Sequence, residues 1–385
     1  MNDLLKETLA ERAGSIEPPP LDLDAIIAAG NRRSSRRRAL TIFGGTAVTL
    51  AGGGLAVAAS RKHHVPPPVP TPFVERRPTY AVGSAIHYGS DVISVAPHKV
   101  NAFVQTDTAF VFLNQKNDIH VVDRSGVRAL GKGAWSLTGG YGGTLVAWAE
   151  GFNDHYDSVV YDVAARRELV RTDVGNQIPP NASLAYGPEI VALDGNQAYF
   201  GTLEGLYRWD LTTNRGERLA RVSPVAVRAV TAGLFVYQVP LDQPGTGTRL
   251  TIAKTVNPSA AAEFVGGEQA FLSPTTKYLV TQPADARPGN QKLRAELHLF
   301  DTASRRSVAL PDRYRSKFFG QWLDGTTCTI AAELRSGDLD LLVVDARTGT
   351  AEVAVPKFTK LTFSKTPAYI ASFALPTGRP VVDLA

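Results

Sequence analysis

The sequence holds a single cysteine, Cys328, in 385 residues. No intramolecular disulfide can form, so the fold is held by packing, and a disulfide-stapled secreted scaffold is excluded. That cysteine sits in the strand-like run "TTCTIAA" and reads as a small buried hydrophobe rather than a nucleophile. The motifs of common chemistries are missing as well. There is no G-x-S-x-G, no H-E-x-x-H, no phosphate loop and no dinucleotide fingerprint. Residues 1–38 contain neither His nor Cys, and residues 39–60 contain no charge. From residue 79 onward, signals for helices are absent.

The charge-free stretch is the first feature with a physical consequence. It reads "ALTIFGGTAVTLAGGGLAVAAS" over 22 residues, and an α-helix needs about 20 apolar residues to cross a bilayer. Its polar atoms are Thr and Ser hydroxyls, which can bond back to their own helix. Five arginines precede it, Arg32, Arg33, Arg36, Arg37 and Arg38, whereas only Arg61 and Lys62 follow it directly. This imbalance predicts a cytoplasmic N-terminus, a transmembrane helix over 39–60 and an extracytoplasmic remainder. It also accounts for much of the formal charge of +5, so the basic balance is read as a topology signal and not as nucleic-acid binding. The alternative is secretion by a twin-arginine signal. "SRRRAL" at Ser35–Leu40 is similar to that motif, and Ala56-Val57-Ala58 offers a cleavage site, although Ala39 stands where the motif usually has Phe.

The flanking segments are short. The tail, 1–38, is divided by Pro18-Pro19-Pro20. Leu4, Leu5, Leu9 and Ala13 before the prolines, and Leu21, Leu23, Ile26 and Ile27 after them, repeat at helical spacing. Helices this short are marginal alone, so the tail either frays or orders on a cytoplasmic partner. Residues 61–78 carry six prolines and read as a stiff, extended linker.

Residues 79–385 read as all-β. Short β-branched and aromatic runs alternate with Gly, Asp, Asn and Pro turns. A unit recurs: an apolar strand, an Asp, a turn, another strand. Its copies end at Asp123, Asp162, Asp210, Asp301 and Asp345, with a degenerate copy ending at Lys254. Successive ends lie 39, 48, 44, 47 and 44 residues apart, a period that marks a β-propeller. Each carboxylate is expected to close a turn by accepting backbone N–H groups just ahead of it, with Thr213, Ser304 and Thr348 reinforcing. Upstream strands such as "LVAWAE" after the glycine turn 139–143 are read as partners of the Asp-ended strands in inner hairpins. Six units run from about residue 101 to 357. Residues 84–97, as an outer hairpin, and 361–385, as inner strands, complete a seventh blade and close the ring. The expected fold is a seven-bladed propeller, with six and eight as alternatives.

"VVDARTGTAEV" at 343–353 carries a resemblance to WD40-like and quinoprotein-like propellers. The whole chain resembles a group of actinobacterial single-pass membrane proteins with a short tail of the form "ETLAERAGSIEPPPLDLDAIIAAGNRR", an arginine run, one span and a propeller. That resemblance implies a signalling role in which the tail contacts a regulator such as a sigma factor. The zinc ligands of classical anti-sigma domains are absent from 1–38, and the recurrent blade tryptophans of cofactor-binding quinoproteins are missing, only Trp135, Trp148, Trp209 and Trp322 being present.

Site candidates are few. Asn153, Asp154, His155 and Asp157, with Tyr156 between them, offer oxygens and an imidazole to a polar ligand or hard cation. The run Arg305-Arg306 with Arg313 and Arg315 can meet anionic groups. No catalytic residue, metal site or cofactor is expected. The expected function is a membrane-anchored binding or sensory module for an extracytoplasmic protein or ligand. The alternatives are an envelope scaffold, which requires a large exposed apolar patch, and an exported lyase or hydrolase, which requires polar groups converging on the axis.

Overall fold

A computed structural model describes residues 73–152, 155–176, 188–223, 226–239, 248–257, 259–261, 263–267, 269–282, 297–363 and 369–383. The tail, its arginine run, the span 39–60, and the linker up to residue 72 lie outside the described residues.

Seven four-stranded antiparallel sheets form the blades of a propeller. Blade 2 takes Ala102–Gln105, Phe110–Leu113, Ile119–Asp123 and Gly126–Gly131 in order from the inside. Blade 3 takes Ala134–Gly139, Leu145–Phe152, His155–Asp162 and Arg167–Thr172. Blade 4 runs from Glu189–Asp194 to Arg215–Ala220, blade 5 from Val227–Thr231 to Phe264–Gly266, blade 6 from Gln269–Leu272 to Ser307–Val308 and blade 7 from Lys317–Trp322 to Ala351–Lys360. Blade 1 is composite. Its innermost strand is Phe373–Ala374 from the C-terminal end, and the other three are Thr79–Val82, Ala85–Tyr88 and Asp91–Ser94.

The expected closure by both chain ends is thus present, with a different division. The C-terminal region supplies one blade strand and not a pair. The strand Tyr369–Ile370 pairs instead with Val382–Asp383. The hairpins read from the repeats are also displaced by one strand. "LVAWAE" and the Asp162-ended strand are the second and third strands of blade 3. The innermost strands lie further upstream.

The core explains the apolar runs. Among the described residues there are seven buried clusters, each between two neighbouring blades. Alternate residues of one strand serve opposite interfaces. In the second strand of blade 2, Phe110 and Phe112 pack toward blade 1, whereas Val111 and Leu113 pack toward blade 3. A strand buried on both faces has no polar side to show. Tyr80, Phe373 and Leu375 meet Phe318, Leu339 and Leu341 between blades 1 and 7, which closes the ring. Each fully buried aliphatic or aromatic side chain there contributes about 1.5–3 kcal/mol. Outer strands such as Arg215–Ala220 and Ala351–Lys360 are largely exposed.

Antiparallel order sorts the connections onto two faces. Turns between strands one and two, and between three and four, lie where the innermost strands end, here called the trailing face. The other connections lie on the leading face, where the innermost strands begin. The repeated aspartates close turns on the trailing face. Asp162 Oδ1 accepts from Ala164 N (3.0 Å) and Ala165 N (3.1 Å), and Asp210 Oδ1 from Thr212 N (2.8 Å) and Thr213 N (3.0 Å). Asp301 Oδ1 accepts from both Ser304 N (2.7 Å) and Ser304 Oγ (2.9 Å). Asp345 takes Arg347 N at 2.9 Å, and Asp123 takes Ser125 N at 2.7 Å. Thr348 does not reach its aspartate with its hydroxyl, which donates to Thr350 Oγ1 instead. In four of these turns the fourth residue after the Asp has positive φ: Arg166, Asn214, Arg305 and Gly349.

Candidate functional site

A cavity of about 240 Å³ lies on the propeller axis. Its wall is built by the innermost strands of blades 2 to 7 and by the C-terminal segment of blade 1. Four of those strands carry register shifts against their neighbours, in blades 3, 4, 5 and 7. A bulge re-aims side chains that strict alternation would place elsewhere. The lining mixes apolar groups, such as Leu137, Phe271 and Trp322, with Gln105, Gln269, Gln321, Thr138 and Thr231. Three guanidinium groups, Arg76, Arg228 and Arg379, face it along with one carboxylate, Asp194.

The C-terminal segment forms the roof at the leading end. The chain passes down through Phe373–Ala374, reverses at Pro376–Gly378 and returns to pair at Val382–Asp383. Gly378 is wedged between two innermost strands: its N–H donates to Phe103 O at 2.8 Å, and its carbonyl accepts from Leu137 N at 2.8 Å. Its φ is +75°, and a Cβ there would lie 2.0 Å from Leu137 O. Only glycine fits. The next residue, Arg379, forms an ion pair with Glu189. Burial pushes the Arg379 guanidinium down to about 10, so it remains a cation at neutral pH. Its side chain is still 31 % exposed.

The trailing end has a floor. Arg76 donates from Nε (3.0 Å) and Nη2 (2.6 Å) to Tyr141 O, and from Nη1 (3.1 Å) to Gln105 O, with Asp107 Oδ1 at 3.5 Å. Burial lowers the Arg76 pKa, against the raising influence of Asp107. Tyr141 rides on the glycine-rich turn Gly139–Gly143 of blade 3 and donates its hydroxyl to Leu323 O of blade 7 at 2.8 Å. Neighbouring turns brace one another around this mouth. Asp194 of blade 4 accepts from Ala232 N (3.1 Å) and Gly233 N (2.8 Å) of blade 5, and Thr275 of blade 6 donates to Gly325 O of blade 7 at 2.9 Å.

Of the residues picked from the sequence, those described lie elsewhere. Asn153, Asp154 and the His155 side chain fall outside the described residues. Asp157 Oδ2 accepts from Arg171 Nη1 at 3.1 Å, and the same guanidinium binds Glu150 and Glu168, each at 2.8 Å. Burial works against that charge, but the hydrogen bonds that Arg171 donates to Glu168 and Glu150 prevail and raise the Arg171 pKa. Asp157 therefore belongs to an ion cluster across the strands of blade 3. Arg305 pairs with Glu263 at 2.7 Å, and Arg313 lies over the Tyr314 ring. His98 and His120 lie against each other, with ring centroids 4.0 Å apart and planes tilted by 33°. Among the described residues no group of three or more His, Cys, Asp and Glu can hold a metal ion. Exposed large apolar side chains, including Val92, Trp135, Leu219 and Val353, come from four different blades. The sequence reading missed the chamber residues themselves. The glycine turn 139–143 and Gly378 were its visible traces.

No known family profile matches this sequence, and no curated protein sequence matches it. Several solved structures show partial similarity to it. TolB from Acinetobacter baumannii has a TM-score of 0.43 at 13 % identity, covering 72 % of this chain and 68 % of that one. A puromycin-hydrolyzing peptidase of Mycobacterium tuberculosis gives 0.46 at 14 % identity over 82 % of this chain and 59 % of that one. The β-propeller domain of the Trilobed protease from Pyrococcus furiosus gives 0.47 at 9 % identity, covering 73 % and 93 % respectively. The chain is a seven-bladed β-propeller.

Proposed function

We propose that this protein is a membrane-anchored binding or sensory propeller. In this reading residues 39–60 anchor it, the propeller is extracytoplasmic, the axial chamber takes a small polar ligand, and residues 1–38 contact a cytoplasmic regulator such as a sigma factor. The observation that carries the ligand half is the chamber. At about 240 Å³ it lies just under the range of about 300–1,000 Å³ usual for small-molecule sites, which suits a ligand of amino-acid or sugar size. Its lining includes three arginines and three glutamines, and those of their N–H groups not already spent on protein acceptors favour a ligand with acceptor oxygens. Binding without turnover is favoured by what the described lining holds. Polar groups converge on the axis, as the enzyme alternative also requires, but the hydroxyls of Thr138, Thr231, Tyr141 and Thr377 have no lining His, Cys or Lys to activate them, and nucleophilic catalysis needs such a base. The Asp194 carboxylate already accepts two backbone N–H groups.

Two experiments test the two halves. Small molecules released on denaturing the purified full-length protein are identified by mass spectrometry, in the wild type and in Thr231→Trp, whose indole fills the chamber. The wild type is expected to release a compound that the variant lacks. Identical release from both removes the chamber as the ligand site. For topology, protease added to intact cells is expected to remove the propeller. A spared propeller, or a mature chain beginning after Ala58, overturns the anchored reading.

A further inference from the structure

The segment Phe73–Pro78 enters the propeller at the trailing face, crosses the chamber floor and continues into blade 1 at Thr79. It is fastened unlike any blade strand. Two backbone hydrogen bonds hold its ends, from Phe73 N to Asp107 O (3.1 Å) and from Gly89 N to Pro78 O (2.9 Å). Between them, side chains of the ring grip its carbonyls. Gln105 Nε2 donates to Phe73 O (2.8 Å) and Glu75 O (3.0 Å), Tyr88 OH to Glu75 O (2.6 Å), and Gln321 Nε2 to Arg77 O (2.7 Å). In the other direction Arg76, whose side chain is only 6 % exposed, binds the Tyr141 and Gln105 carbonyls. Its one large apolar anchor is the Phe73 ring, 4.8 Å from Phe110 and 5.4 Å from Tyr88. Val74, by contrast, is half exposed.

Arg76, Gln105, Tyr141 and Gln321 each serve twice: they line the chamber and they take part in the hydrogen bonds that fasten the segment. We propose that Phe73–Pro78 is a removable floor of the axial chamber, so that its docking closes the trailing mouth and its release opens it. Polar fasteners suit release, because water replaces side-chain-to-carbonyl bonds on undocking and little apolar surface beyond Phe73 is exposed. The seam also holds an unfilled acceptor. Gln105 Oε1 is buried and finds no hydrogen-bond donor among the described residues, and a donor on an occupant would satisfy it. Building on the reading that the chamber takes a ligand, occupancy and docking become linked. A ligand that touches Arg76 or Gln105 strengthens docking, and by reciprocity release of the segment weakens the ligand's affinity by the same factor.

The test needs no ligand, so it stands or falls separately from ligand binding itself. In the full-length protein, Thr231→Cys places a thiol on the chamber wall, and the one native cysteine, Cys328, is fully buried and gives no background. The rate of modification by a cationic methanethiosulfonate is measured in this background and after adding Arg76→Ala. A rise of at least tenfold is expected, with faster hydrogen exchange confined to residues 73–78. Tyr141→Phe, which deletes only the bond to Leu323, is the milder second variant and is expected to raise the rate by a smaller factor. If exchange shows the segment released while the thiol rate is unchanged, or if neither variant releases the segment, the proposal is overturned.

Discussion

Replacing Gly378 by alanine isolates the steric demand of the roof when it is compared with the same change at Gly195. Both residues have positive φ, +75° and +61°, so both changes incur the left-handed penalty of about 1–2 kcal/mol. Around Gly195 nothing lies within 4 Å of the new methyl, and the cost stops there. At Gly378 the methyl would fall 2.0 Å from Leu137 O and 2.9 Å from Val104 Cγ1. The segment must move, and the two 2.8 Å bonds to Phe103 O and Leu137 N break. Phe103 and Leu137 are 0 % and 2 % exposed, so water cannot readily replace the lost partners. Each orphaned buried group costs about 1–3 kcal/mol, which puts Gly378→Ala about 2–6 kcal/mol below Gly195→Ala. Thermal unfolding of the full-length protein reads this out. At about 2 °C per kcal/mol for a domain of this size, Gly195→Ala is expected to lose about 2–4 °C and Gly378→Ala about 6–16 °C. Melting temperatures within about 2 °C of each other would refute the insertion of Gly378 between the innermost strands of blades 2 and 3.

Three further outcomes are expected. Cys328 is fully buried with its thiol pushed up to about 12 by burial and by Asp324, so a thiol reagent should react with one equivalent only in denaturant; prompt reaction in the native protein contradicts the packing between blades 6 and 7. His120 is held below the usual imidazole range by burial and then by the neighbouring His98. Its contribution to stability is complete above the unfolded pKa of about 6.5 and is lost as pH falls through the lower folded value. The melting temperature lost between about pH 7.5 and pH 5 should shrink in His120→Phe, where the Asn114 amide keeps its bond to Asp118; an equal loss in both proteins rules out this pair as the source. Asp162→Ala removes the acceptor of Ala164 N, Ala165 N and Thr144 Oγ1 and should cost about 1–3 kcal/mol, with Asp162→Asn partly restoring stability; no change in melting temperature for either variant disproves the turn-closing role.

Much of the fold was legible because it repeats. An aspartate that must meet the N–H groups two and three residues ahead leaves the same mark in blade after blade, as at Asp162 and Asp210. Strands buried on both faces leave apolar runs. The innermost strands left much less. Those of blades 3, 4, 5 and 7 are bulged, which breaks the two-residue period, and they mix glutamine, arginine and glycine with apolar residues because one edge lines a cavity. That is why the hairpins were read one strand too far out, and why residues 153–157 drew attention that the axis did not.

By itself the sequence determined the repeat, the all-β character and the closing of the ring by both chain ends, and it narrowed the blade count to six to eight, because these follow from spacing and local pattern along one strand of chain. Only the tertiary structure decided that Arg76, Tyr141, Gln321 and Arg379 meet around one chamber, with Gln321 bonded to the carbonyl of Arg77 across 244 positions of sequence. A closed ring brings together residues from every blade at its axis, and no local period records which of them will face one another there.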